Sequence, residues 1–159
     1  LPADLSRVMF VTTANAVHNI PRPLLDRMEI LPLSGYTELE KLQIAVRHLL
    51  PKQKRDHGLE EQQVQLDEET IRKVIRLYTR EAGVRQLEQR LAALCRKAAR
   101  RIVSEQVEQV SISADELESY LGIPRYRYGQ SEKDDQIGMV TGLAWTEGGG
   151  DTLSSEVSV

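Results

Sequence analysis

A narrow apolar stripe in the second half of the chain constrains its fold more than any other feature. Val84, Leu87, Leu91, Leu94, Ala98 and Ile102 fall on one side of a helical wheel that turns about 100° per residue. Residues 84 to 103 are therefore expected as one long amphipathic helix, with its stripe buried against other elements. The stretch Thr79 to Leu91, TREAGVRQLEQRL, sets where that helix starts. Gly83 ends one helical pattern and the next begins at once, so Arg85 falls in a first turn. Amides of a first turn have no intrahelical partner, and the dipole makes that end positive. A cation there does not help the helix itself, and Arg85 also points away from the stripe. A permanently charged, donor-rich fork at a helix start suits an anion, phosphate above all. Judged by position alone, a solvated surface arginine is the commoner role.

The rest of the chain supplies what the stripe needs. Thr37-Glu38-Leu39-Glu40 is a capping box, and Leu42, Ala45, Val46, Leu49 and Leu50 follow it at helical spacing. Pro51 is expected to interrupt, with a second short helix from Pro51 to Gly58. Leu59 to Leu66 reads as a loop, and Ile71, Val74, Ile75 and Tyr78 as the inner face of a third helix. Val107 to Ser111 alternates like a short strand, and Ser113 to Glu116 is a second capping box opening a last helix to Gly122. Ahead of all this, Val8-Met9-Phe10-Val11-Thr12-Thr13 has the β-branched, apolar character of a buried strand. Asn15 stands at its end, where polar residues line ligand crevices in open α/β sheets but where turn asparagines are equally at home. Pro23 suits the start of a short helix, Leu24 to Met28, with Arg27 near its end. Glu29 to Leu33 reads as a short strand closed by Ser34-Gly35. Gly35 can absorb a hinge rotation, and Tyr36 lies at that joint.

Composition narrows the function. With 28% charged residues and a formal net charge of −3, the whole chain is neither a polycation nor a disordered acidic tail. The charge is segregated, however: Arg85, Arg90, Arg96, Lys97, Arg100 and Arg101 stand against Glu88 alone between positions 85 and 101. The single cysteine, Cys95, excludes an internal disulfide and fits a reducing compartment; beside the apolar stripe it reads as a small buried hydrophobe. No apolar run approaches the ~18 residues of a membrane span, so a soluble, cytoplasmic protein is expected. His18, His48 and His57 are too scattered for a metal motif, no G-x-x-x-x-G-K-S/T cradles phosphates, and no G-x-S-x-G offers a nucleophile.

REAGVRQLE resembles the sensor-2 motif of AAA+ ATPases, specifically of the Lon proteases. LLDRMEI, GYTELEKLQIAVRHLLPKQ and VTGLAWTE resemble the same family in the same order. The likeness runs from about Asp4 to Val159, and one departure is Gly148, where a larger apolar residue is expected. The resemblance implies a mainly α fold: an AAA+ C-terminal helical lid of four to five helices with a short strand. The last strands of an α/β ATPase core would precede it and a truncated β stub would follow. Its boundaries would be 1–34 for the core, 35–123 for the lid, 124–135 for a linker and 136–159 for the start of a protease domain, expected to be poorly ordered. It implies that Asn15 (sensor 1), Arg27 (arginine finger to a neighbouring subunit) and Arg85 sense nucleotide, with Tyr36 facing the adenine. It further implies a homohexamer that uses ATP and Mg²⁺ to pull unfolded or damaged proteins toward a Ser-Lys dyad lying beyond residue 159. The fragment alone is expected to bind no cofactor and to be inactive.

A second possibility comes from the charge. Arg90, Arg96, Lys97, Arg100 and Arg101 are expected to cover the face opposite the stripe, and a basic helical face can neutralise backbone phosphates of DNA without reading sequence. The alternative is a solvated face with cations near a helix C-terminus, where the dipole favours them.

Overall fold

The computed structural model describes residues 4–126, 137–146 and 149–157. The chain divides into two compact units, Leu1–Leu33 and Ser34–Val159. The first unit holds a short 3₁₀ turn, Val17–Asn19, and helix α1, Arg22–Leu25, with Pro23 in its first turn. Val8 to Thr13, expected as a buried strand, has no strand pairing, and Met9, Phe10 and Val11 are exposed. Glu29 to Leu33 likewise forms no strand. The reason is that a strand exists only through hydrogen bonds to a neighbour, and no such neighbour lies beside either run among the described residues.

The second unit is built as the apolar periodicity demands. Helices α2 (Glu38–Ile44), α3 (Leu50–Asp56), α4 (Glu68–Tyr78), α5 (Arg85–Glu105) and α6 (Leu117–Leu121) enclose one core. Helix α5 is its axis, packing against α3, α4 and α6. Leu87, Leu91, Leu94, Cys95 and Ala98 are buried along it, with Val84 and Ile102 partly covered at its ends. Ile71, Val74, Ile75 and Tyr78 are the buried face of α4, as their spacing requires. Thr37 caps α2 with both halves of the box formed, while Asp67 caps α4 by accepting the Thr70 amide at 2.7 Å.

Two features differ from expectation. Pro51 does not interrupt: α2 and α3 run on through a π-helical segment, Ala45–Leu49. A proline ring clashes with the carbonyl four residues back and cannot donate; the wider turn just before it, where the Leu50 amide bonds the Ala45 carbonyl, relieves that conflict. The rod ends at Gly58, whose φ of 67° suits glycine. The stretch 59–66 is not all loop, because strand β1 (Val64–Leu66) pairs parallel with β2 (Val110–Ile112). This small sheet buries Val64, Val110 and Ile112 under the helices.

Farther on, β3 (Met139–Thr146) and β4 (Gly149–Glu156) form an antiparallel hairpin running in register from Met139↔Glu156 to Thr146↔Gly149. This is the stretch that the resemblance made the start of a protease domain, 136–159; within it β3 and β4 satisfy each other's backbone groups. Val140, Leu143 and Leu153 on it are exposed. Of the expected linker, 124–135, residues 127–135 lie outside the described residues.

Candidate functional site: a clamped loop at the start of α5

The loop from Thr79 to Val84 joins α4 to α5, and four sets of bonds fix it. The side-chain amide of Gln86 brackets Arg80, accepting its N–H at 3.1 Å and donating to its carbonyl at 3.2 Å. The carboxylate of Glu81 accepts the amides of Gln86 at 2.8 Å and Leu87 at 2.9 Å. The Glu81 carbonyl accepts the Lys41 ammonium from α2. Lastly, the Ala82 carbonyl accepts the Tyr36 amide at 2.8 Å.

This arrangement revises the electrostatic expectation for the helix start. The orphan amides of the first turn already hold an anion, and that anion is Glu81. What the site presents outward is the Arg85 side chain, which is exposed and makes no hydrogen bond or ion pair among the described residues. With the backbone beneath it fixed and its own donors unused, this guanidinium keeps its full donor fork for a partner.

Gly35 belongs to the same clamp. A Cβ at this position would sit 2.9 Å from both the Ala82 Cβ and the Ala82 carbonyl oxygen. Only glycine permits this approach. Tyr36, next in the chain, is about half exposed, so its ring stands free beside a backbone that is tied down. Asn15 and Arg27 belong to the first unit, Asn15 at a bend and Arg27 just after α1, and both are exposed. The second unit therefore gathers Tyr36 and Arg85 at one loop, while the first carries the other two nucleotide candidates.

The basic residues of α5 do not form a single face. Arg96 and Arg100 lie opposite the apolar stripe, whereas Arg90 and Arg101 flank it by roughly 90° or less on a 100° wheel. Arg90 is half-buried, with its Nε enclosed and unpartnered. Arg101 is committed to the fold, bonding Glu105 at 2.9 Å and the Tyr120 hydroxyl at 3.1 Å, and both contacts push its basicity up further. Arg96, Lys97 and Arg100 are exposed. Lys97 and Arg100 also edge a shallow open cleft between α5 and α6, shared with Ser104, Glu105, Glu116, Ser119 and Tyr120.

Among the described residues, no three His, Cys, Asp or Glu side chains come together to hold a metal ion. None of the described helices is long and apolar enough to cross a membrane. Burial pushes the Cys95 thiol up to about 11, with Lys54 and Arg96 pulling the other way. It is an inert core group.

Comparison with known proteins decides the family. Residues 55–112 match the Lon protease AAA+ ATPase lid domain, and residues 111–159 match the Lon protease C-terminal proteolytic domain. The chain belongs to the Lon protease family. It is 62% identical over 157 residues to the Lon protease of Desulforamulus reducens, covering 99% of this chain and 19% of that protein. It is 54% identical over 156 residues to Lon protease 1 of Bacillus subtilis, covering 98% and 20% respectively. The chain thus spans about a fifth of the length of these Lon proteases. A solved structure, that of the Bacillus subtilis Lon protease SSD domain, is 50% identical, covering 59% of this chain and 99% of that one at a TM-score of 0.49. The helical unit is a Lon lid. The motifs that pointed to it from sequence, REAGVRQLE and GYTELEKLQIAVRHLLPKQ, are those that build the clamp: Gly35, Lys41, Glu81 and Gln86 all lie within them.

Proposed function

We propose that this chain is the nucleotide-sensing lid of an ATP-dependent Lon-type serine protease, coupling ATP hydrolysis to unfolding and translocation of protein substrates. One observation carries the reading: Arg85 is exposed and unpartnered among the described residues, on a loop fixed at Arg80, Glu81 and Ala82. A planar, always protonated fork matches phosphoryl oxygens, and a rigid mount converts phosphate contact into lid position. In this reading Arg85 meets the phosphates from the lid of its own subunit. Arg27 acts as the finger toward the next subunit of a homohexamer, Asn15 orients the attacking water, and Tyr36 faces the adenine. In this reading the complete enzyme uses Mg²⁺-ATP and cleaves with a Ser-Lys dyad. Substrates would be unfolded or damaged proteins of the cytoplasm. The test is a segment exchange: this chain replaces the matching part of Lon protease 1 of Bacillus subtilis. ATP-dependent degradation of casein should be retained; an assembled exchange enzyme that hydrolyses ATP but no longer degrades casein contradicts the coupling role.

The exposure of Arg96, Lys97 and Arg100 along one side of α5 favours a second reading, non-specific DNA binding through backbone phosphates. Arg90 and Arg101 contribute less to it, since one is half-buried and the other is bonded to Glu105 and Tyr120.

A further inference from the structure

Lys41 is an unusual occupant of its place. It lies in the second turn of α2 with only 7% of its surface exposed, and lysine is among the residues least often buried. A buried ammonium is costly unless it is paired and hydrogen-bonded. Burial pushes the Lys41 ammonium below its ordinary range, and the nearby Glu81 carboxylate pulls it back. Its hydrogen bond goes to the carbonyl of Glu81, the residue whose carboxylate holds the first amides of α5. Core stability alone does not ask for a charge here, since apolar replacement of buried ion pairs is often neutral or stabilising. What the lysine adds is direction. It fixes the main chain of Glu81 from α2, while the side chain of Glu81 fixes the start of α5 four residues on.

We infer that Lys41 is a positioning residue for Arg85: through Glu81 it sets where the α5 first turn, and hence the Arg85 guanidinium, stands relative to the Gly35–Thr37 segment. This rests on the sensor reading of Arg85 and goes beyond it. Because Tyr36 and Ala82 are bonded alongside, movement of the segment entering α2 carries the sensor loop with it as one body.

The test is a double-mutant cycle in the exchange enzyme described above, with ATP turnover as the readout. Lys41→Met keeps the aliphatic stem and removes the donor. Glu81→Gln, measured in parallel, keeps the carbonyl that Lys41 bonds and weakens the hold on the α5 amides. Each is combined with Arg85→Ala, and circular dichroism checks the helicity of the 159-residue chain. If Lys41 acts through Arg85, Lys41→Met raises the KM for ATP on the order of tenfold, a loss typical of a misplaced contact group. The Lys41→Met/Arg85→Ala double variant is then no worse than Arg85→Ala alone, and Glu81→Gln shows the same non-additivity. If the Lys41 and Glu81 effects multiply in full with that of Arg85→Ala, or if Lys41→Met leaves KM unchanged, positioning is overturned while the sensor reading stands. If Arg85→Ala itself leaves ATP turnover unchanged, the sensor reading falls and this inference falls with it.

Discussion

The amide of Tyr36 donates to the carbonyl of Ala82 across 2.8 Å, a bond between the segment that enters the lid and the loop that starts its central helix. The approach is open because the neighbouring Gly35 has no Cβ, which would sit 2.9 Å from the Ala82 Cβ and carbonyl oxygen. Gly35→Ala must push that loop away, and overpacking of this kind costs about 1–3 kcal/mol. Gly83, two residues before the start of α5, has open space around its missing Cβ and no positive φ. Gly83→Ala should therefore be neutral or stabilise by roughly 0.4–1 kcal/mol through the unfolded chain. Urea denaturation of the two variants should give shifts of opposite sign, and equal destabilisation would contradict the packing argument.

Glu81→Ala strips both caps from the start of α5 and leaves the Gln86 and Leu87 amides without their carboxylate. Hydrogen bonds to charged groups contribute about 1.5–3 kcal/mol. A fall in stability of that order is expected, read as a lower denaturation midpoint at unchanged slope.

Acid should loosen the lid in a defined window. Hydrogen bonds from Arg76 hold the Glu38 carboxyl below its ordinary 4.5, and bonds from Thr70 hold Asp67 below its ordinary 3.8. A carboxyl depressed in the folded state contributes stability that is complete above the unfolded pKa and is lost as pH falls through the folded one. Thermal midpoints should hold from pH 7 to about 5 and then drop. Glu38→Gln should lower the pH 7 midpoint and flatten the drop, because its ion pairs to Arg76 at 2.8 Å and Arg72 at 3.3 Å no longer titrate.

How much of this was legible in the sequence depends on range. The faces of α4 and α5 and the Thr37 box are written within a few residues, and they were readable. Strand β1 was not, because Val64–Leu66 is a strand only by pairing with Val110–Ile112 far along the chain. The helix through Pro51 was missed because a π turn leaves no periodic mark. At the candidate site, Arg85 and Tyr36 are singled out by their motifs, but the clamp was hidden. Glu81 caps from five residues before Gln86 instead of the N-cap position, and Lys41 looked like one more polar residue behind a capping box. The basic face was over-read, since wheel position alone does not reveal that Arg101 is bonded to Glu105 and Tyr120.

Under the DNA reading, binding should be sequence-blind and should fall with salt at a slope near −0.9 per neutralised phosphate. Replacing Arg96, Lys97 and Arg100 with glutamine should abolish it without loss of helicity. Arg101→Gln should instead lower thermal stability, as it severs contacts to α6. Filter binding or anisotropy with a random duplex at several salt concentrations checks both, and unchanged binding by the triple variant rejects the reading.

The central claim is that Arg85 reads the nucleotide and does not hold the lid together, and the most direct measurement pairs ATP turnover with folding for Arg85→Ala. In the exchange enzyme, ATP-dependent turnover should fall on the order of tenfold to a hundredfold, the loss of one charge-assisted phosphate contact worth about 1.5–3 kcal/mol. The melting curve of the isolated 159-residue variant should overlay that of the parent, since the side chain is exposed and unpartnered among the described residues. An Arg85→Ala chain that unfolds while the assembled enzyme hydrolyses ATP at the parental rate would contradict the account.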